Sequence, residues 1–162
     1  MNKLIIDHTS NIDSNILEKV AKSSPWEWLE KQLLLKEPTD ERVGFVKANV
    51  SSIILNEKWD LISYWAFWNG NRFWDKIIEK LWFNISNTLL WIYLFTTQEY
   101  RNKWFAWYLK WEQIKYIKKN YPNIKYLVWE TEYEDTLELY KKYWAEEIKL
   151  DNHKFYPYYY KI

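Results

Sequence analysis

A chain of 162 residues has room for one domain with its own core, and its net charge of +1 lacks the basic surplus of a nucleic-acid surface built on bulk electrostatics. It contains no cysteine, which excludes disulfides, thiolate nucleophiles and zinc-finger chemistry. No run approaches eighteen uninterrupted apolar residues and "MNKLIIDHTSNIDS" lacks the apolar core of a signal peptide, so the chain reads as cytoplasmic with no membrane partner.

"KLIIDHT" predicts a short first strand. "SNIDSNILEKVAKS" predicts a helix with Ser10 at the cap, Asp13 three residues on, and Ile12, Ile16, Leu17 and Val20 on one face. "SPWE", Ser24 to Glu27, starts another: a cap residue, Pro at the first helical position and Glu closing the box. That helix runs to about Lys36 and stops before Pro38. Two strands follow, Asn49 to Asn56 and Leu61 to Trp68, joined through "EKWD". So short a hairpin connection needs one residue at positive φ, which favours Gly, Asn or Asp; Trp59 sits at that joint. "DKIIEKLWFN" fits either a short helix or an extended segment; if helical, Trp82 falls where a glycine cap belongs.

"NTLLWIYLFTT" is a strand rich in β-branched and aromatic residues. "EYRNKWFAWYLKWEQIKYIKK", Glu99 to Lys119, then opens a helix with a stripe of Tyr108, Trp111, Ile114, Ile117 and Tyr121, ended near Pro122. Its "KWEQIKYIKK" reads as a solvated face. "IKYLVWET" is a further strand, and "YEDTLELYKKYW" a helix with Tyr133, Leu137, Tyr140 and Trp144 at helical spacing. Trp144 again takes the glycine-cap position, after Lys141 and Lys142 in the last turn. "AEEIKL" and "KFYPYYYKI" close the chain as strands. The order alternates α and β, with no repeat, linker or second domain across residues 1–162.

Strand, then "TTQEYRNKWFAWYL", then helix resembles the GNAT superfamily of acetyl-CoA-dependent N-acetyltransferases. The family pattern is Arg/Gln-x-x-Gly-x-Gly/Ala; here it reads Arg101-Asn102-Lys103-Trp104-Phe105-Ala106, with Trp104 in place of the central glycine. "ELYKKYWAEEIKL" resembles the later Leu-Tyr-x-Lys-x-Gly-Phe/Ala motif: Leu139, Tyr140, Lys142 and Ala145 match, and Trp144 replaces the glycine. The resemblance covers about Asn87 to Leu150; the first half matches only in its order of elements, and Tyr133 stands where the family often has Asn.

This resemblance implies an α/β fold of GNAT type, a mixed central sheet flanked by helices. It implies transfer of an acetyl group from acetyl-CoA to a primary amine by direct attack. Backbone N–H groups of residues 101 to 106 and the N-terminus of the next helix would hold the pyrophosphate, and Leu94, Phe95 and Thr96 would pair with the pantetheine arm. Tyr140 would be the general acid for the departing thiolate; its plain alternative is a core tyrosine. An indole at 104 would fill the cradle or swing away. The rival reading is a non-catalytic, Trp-rich binding module with a blocked loop. Glu99, Glu130 and Glu132 read as solvated carboxylates, although one of them near the splayed strands would be placed to relay a proton, and His8 and His153 have no partner spacing for a metal or triad and read as surface residues. The acceptor is unreadable, whether polyamine, amino acid, antibiotic or protein N-terminus, and a homodimer stays open.

Composition adds one more expectation. The chain has 13 Trp and 2 Gly, where average usage predicts roughly eleven Gly. Three arginines (Arg42, Arg72, Arg101) stand against twenty lysines, the bias of A/T-rich codons. Some bacterial lineages with such genomes reassign the stop codon UGA, most often to Trp and in a few groups to Gly. The swap points to glycine codons read as tryptophan, with Trp59, Trp104 and Trp144 the best fits and Trp26, Trp28 and Trp111 ordinary as tryptophans. A chain that is truly Trp-rich is the other reading.

Overall fold

The computed structural model describes residues 4–9, 14–23, 50–67, 84–131, 134–143, 145–149 and 156–162. The elements are β1 (Ile5–Thr9), α1 (Ser14–Ser23), β2 (Val50–Leu55), β3 (Leu61–Phe67), β4 (Thr88–Thr96), α2 (Phe105–Asn120), β5 (Tyr126–Thr131), α3 (Glu134–Lys141), β6 (Glu146–Glu147) and β7 (Tyr156–Lys161). The helix expected from Ser24, the "DKIIEKLWFN" segment, the cap at Ser10, Trp82 and Trp144 lie outside the described residues. Strand order is β1-β2-β3-β4-β5-β7-β6, antiparallel throughout except between β4 and β5.

β2 and β3 are buried at every position, so both faces of the sheet are covered. The alternation of a strand sorts their side chains. On one face Ile53, Leu55, Tyr64 and Ala66 pack with Leu17, Val20 and Ala21 of α1. On the other, Val50, Ile54, Trp65 and Phe67 meet Leu109, Ile114 and Ile117 of α2, Leu137 of α3, and Trp129, Tyr158 and Tyr160. Each fully buried aliphatic side chain contributes about 1.5–3 kcal/mol relative to exposure. The face α2 buries differs from the expected stripe: Leu109, Lys110, Gln113, Ile114 and Ile117 are inside, while Trp111 is 37% exposed. "KWEQIKYIKK" is therefore no solvated face, since Lys110 and Gln113 are buried in it. His8 also differs from expectation: its Nδ1 lies 2.7 Å from Ser52 Oγ across the β1–β2 ladder, and its ring stacks on Tyr116.

The parallel pairing of β4 with β5 is short. It joins Thr88, Leu89 and Leu90 to Tyr126, Leu127 and Val128 and then stops, although β4 continues to Thr96 and β5 to Thr131. The cause lies in the backbone of β4. Its register against β3 slips between Ala66↔Tyr93 and Phe67↔Trp91, so one extra residue, Ile92, sits in β4 just past the last parallel pair. A bulge of this kind bends and re-aims a strand. The upper part of β4 stays with β3, the upper part of β5 stays with β7, and the sheet parts between them.

The β2–β3 connection carries its strain in one residue. Trp59 N–H donates to Asn56 O and Asn56 N–H to Asp60 O, both at 3.0 Å, while Asn56 Oδ1 accepts from Lys58 and Asp60 N–H. Trp59 has φ 64, as the short joint demanded. That is the left-handed position of a turn with a bulge, where glycine is preferred and any β-carbon costs about 1–2 kcal/mol. The indole is 56% exposed and recovers little by packing. Trp59→Gly is expected to stabilise the fold by about 1 kcal/mol, a rise in Tm of about 2–4 °C for a chain of this size. A fall in Tm on thermal denaturation would show that the indole contributes more than the turn loses.

Candidate active site

Where β4 ends, a 3₁₀ turn (Gln98–Tyr100) and four loop residues lead into α2. Arg101 is extended (φ −63, ψ 158) and Asn102 is left-handed (φ 58). Asn tolerates that region better than other residues with a β-carbon, and the change of hand folds successive N–H groups toward one concavity. The left-handed residue is thus Asn102. Trp104, the family glycine position, caps α2 at φ −60 and ψ 0, a conformation open to any residue. Its carbonyl accepts the first helical bond, from Tyr108 N–H at 3.0 Å, and no side chain caps the helix. The first-turn N–H groups of α2 therefore keep the positive end of the helix uncompensated by an acid.

A cleft of about 480 Å³ opens at this point, lined by Leu94, Phe95, Thr96, Arg101, Asn102, Lys103 and Ala106. Those residues join the end of β4, past its ladder with β5, to the loop and the first turn of α2. Trp104 and Phe105, also expected at the cofactor, do not line it. The Trp104 indole is 52% exposed and lies on Phe105 (5.0 Å) and Tyr108 (4.8 Å), so it swings away instead of filling the cradle. Arg101 Nε donates to Thr96 O and Lys103 Nζ to Glu99 O, which holds two cations at the loop. The loop is tied to the β2–β3 hairpin through Asn56 Nδ2 and the Tyr100 hydroxyl, 3.4 Å apart. A neighbouring groove of about 870 Å³ shares Arg101 and adds Lys19 and Lys22 of α1, Asp60, Thr97 and Glu99.

Tyr140 stands in the last turn of α3, partly buried, and is not among the lining residues of the cleft. Trp107, next to Ala106 in the chain, connects the two: its ring packs 5.6 Å from that of Tyr140 and 4.3 Å from that of Tyr143. The Tyr140 ring stacks on Tyr158 at 4.8 Å and 21°. Burial raises the Tyr140 pKa, and a hydrogen bond donated by the Tyr158 hydroxyl opposes that rise. After α3, Ala145 N–H donates to Tyr140 O at 3.1 Å. That is the closing bond of a helix C-cap whose preceding position most often holds glycine.

Sequence reasoning missed Lys110. It is 3% exposed, its Nζ hydrogen-bonds the Tyr160 hydroxyl, and burial lowers its pKa to about 6, against the pull of surrounding ring faces that favour an ammonium. The signal was present: Lys110, Ile114 and Ile117 recur at i, i+4 and i+7, the spacing of a buried face. Of the carboxylates singled out, Glu99 is exposed, while the Glu130 side chain and Glu132 lie outside the described residues, as does His153.

No family model and no curated protein matches the chain. Solved structures do. A GNAT family N-acetyltransferase from Escherichia coli in complex with CoA superposes with a TM-score of 0.64 at 13% identity, over 99% of this chain and 82% of that one. Arabidopsis thaliana NAA60 in complex with acetyl-CoA gives 0.63 at 16% identity, over 98% and 100%. An N-acetylglutamate synthase from Neisseria gonorrhoeae, complexed with coenzyme A and N-acetyl-glutamate, gives 0.61 at 12%, and the chain spans 35% of its length. The fold is that of the GNAT acyl-CoA N-acyltransferases.

Proposed function

We propose that the chain is an N-acetyltransferase that moves an acetyl group from acetyl-CoA to a primary amine. The observation that carries this reading is the cleft at the parted end of the sheet, which brings seven expected cofactor residues together on one surface. Its volume is that of a small-molecule site. Arg101 and Lys103, with the first-turn N–H groups of α2, suit a pyrophosphate, and the side of β4 near Leu94 and Thr96, past the end of its ladder with β5, suits the amide-bearing pantetheine arm. Acetyl-CoA supplies the activated thioester; the chain supplies position and proton control. The neutral acceptor amine forms the new N–C bond and the C–S bond breaks. Tyr140 gives its proton to the sulfur, and the proton released by the acceptor nitrogen restores the phenol. The acceptor stays unassigned beyond the class of primary amines.

Isothermal titration with coenzyme A tests the reading. The chain with Trp104 in place is expected to bind, and Trp104→Gly to gain less than about tenfold, because the indole rests on Phe105 and Tyr108 outside the cleft. Arg101→Ala should weaken binding about 10- to 100-fold, the loss of one charge-assisted contact. Absence of binding by both the parent chain and Trp104→Gly would sink the reading and favour the Trp-rich binding module. The glycine-codon reading belongs to the same proposal and is supported by Trp59 at φ 64, whereas the backbone at Trp104 needs no glycine. Its test is the codons at 59, 104 and 144, where UGA supports glycine and UGG a genuinely Trp-rich chain.

A further inference from the structure

Lys110 has no part in the cleft, yet the fold spends five elements on enclosing it. Its Nζ lies 3.7 Å from the ring centroid of Tyr160 (β7), 4.5 Å from Tyr140 (α3), 4.9 Å from Trp107 (α2), 5.2 Å from Trp129 (β5) and 6.0 Å from Trp65 (β3). The titratable groups that face it are the phenols of Tyr140 and Tyr160, with Tyr158 stacked behind Tyr140. β3, β5 and α2 present indoles, which do not titrate. Among the described residues no carboxylate contributes to its charge balance. A buried charge this close to a phenol acts on it strongly, because little water screens the interaction.

We propose that Lys110 is a positioning residue for the proton donor: the charge on its Nζ sets how readily Tyr140 releases a proton. This rests on the reading of Tyr140 as the acid. With Nζ protonated, the ammonium favours the phenolate and strengthens the acid. With Nζ neutral that support is gone, and the apolar surroundings hold the proton on the phenol. The only bond that changes in the switch is an N–H bond, whose proton passes to solvent. Burial brings the change to about pH 6, far from the ordinary range of lysine.

The unliganded chain, labelled at lysine Cε and tyrosine Cζ with carbon-13, is followed by NMR from about pH 5 to about pH 10. The Lys110 and Tyr140 resonances are expected to move in one common step near neutral pH. Lys110→Met, which fills the same space without titrating, removes that step from Tyr140. In steady-state kinetics with a hydrazide acceptor, whose amine stays neutral over this range, kcat should fall about tenfold as pH rises through the step, with Lys110→Met locked at the lower plateau. A Lys110 carbon that titrates near its ordinary pH of about 10 would overturn the proposal, as would a Tyr140 step that survives in Lys110→Met. Should no acetyl transfer be found at all, the reading of the reaction fails, while the NMR step still decides the coupling.

Discussion

Tyr140→Phe is expected to lower kcat by about 10²- to 10⁴-fold, the usual cost of removing a general acid, with coenzyme A affinity unchanged. The substitution isolates the hydroxyl. Phenylalanine keeps the stack on Tyr158, the contact with Trp107 and the ring face toward Lys110. The hydrogen bond from Tyr158 is lost, and its buried O–H is left without an acceptor, which costs about 1–3 kcal/mol. Tm should therefore fall by several degrees, at about 2–4 °C per kcal/mol. Stability loss of that size leaves the protein folded at assay temperature, so a kinetic effect of two or more orders of magnitude cannot come from unfolding. An unchanged kcat beside the lower Tm would assign Tyr140 to the core and leave the acid unidentified.

Stability is expected to climb with pH between about 6 and 9, above which the tyrosines whose pKa burial raises reverse the slope, and Lys110→Met to flatten that climb. The sign follows from where the proton binds. Below about pH 6 the Lys110 amine is protonated in the folded and the unfolded chain; above 10.5 it is neutral in both. Between those limits only the unfolded chain holds the proton, so each pH unit raises the unfolding free energy by up to about 1.4 kcal/mol. From pH 6 to pH 8 the gain reaches about 2 kcal/mol, because the folded amine is still half protonated at the start, or roughly 4–8 °C in Tm. His8, whose pKa burial lowers, adds a slope of the same sign, but only below its unfolded value of 6.5. Lys110→Met also removes a buried amine that has no counter-ion among the described residues, so its Tm should exceed that of the parent at pH 7. Thermal unfolding across a pH series checks this, and parallel curves for parent and variant would contradict it.

The order of strands and helices was legible because each element carries its own period and punctuation: β4 in "NTLLWIYLFTT", α3 in "YEDTLELYKKYW". The lining of the cleft was legible in part for a related reason. Leu94 to Thr96, Arg101 to Lys103 and Ala106 are close in sequence, so a strand-loop-helix reading already places them together, whereas Trp104 and Phe105, also expected there, point elsewhere. What stayed hidden depends on contacts between distant segments. Lys110 looks like one more charge on a polar helix until Trp65, Trp129, Tyr140 and Tyr160 converge on it from four other elements. His8 looks exposed until register sets it opposite Ser52. The loop's backbone was not legible in the sequence: its left-handed residue is Asn102, and Trp104 is an ordinary helix cap.

The bulge at Ile92 also bears on how the protein behaves in a crowded solution. Beyond Leu90 and Val128 the ladder between β4 and β5 ends, and a gap opens inside the sheet between two strands that stay paired on their other sides. Unpaired strand edges at the border of a sheet template aggregation, which charges and short strands normally suppress. Here the gap lies at the centre, between strands selected for β-forming residues, and any extended peptide can add to it as readily as a ligand can. Solubility is therefore expected to rise when the notch is filled, which light scattering with and without coenzyme A would check.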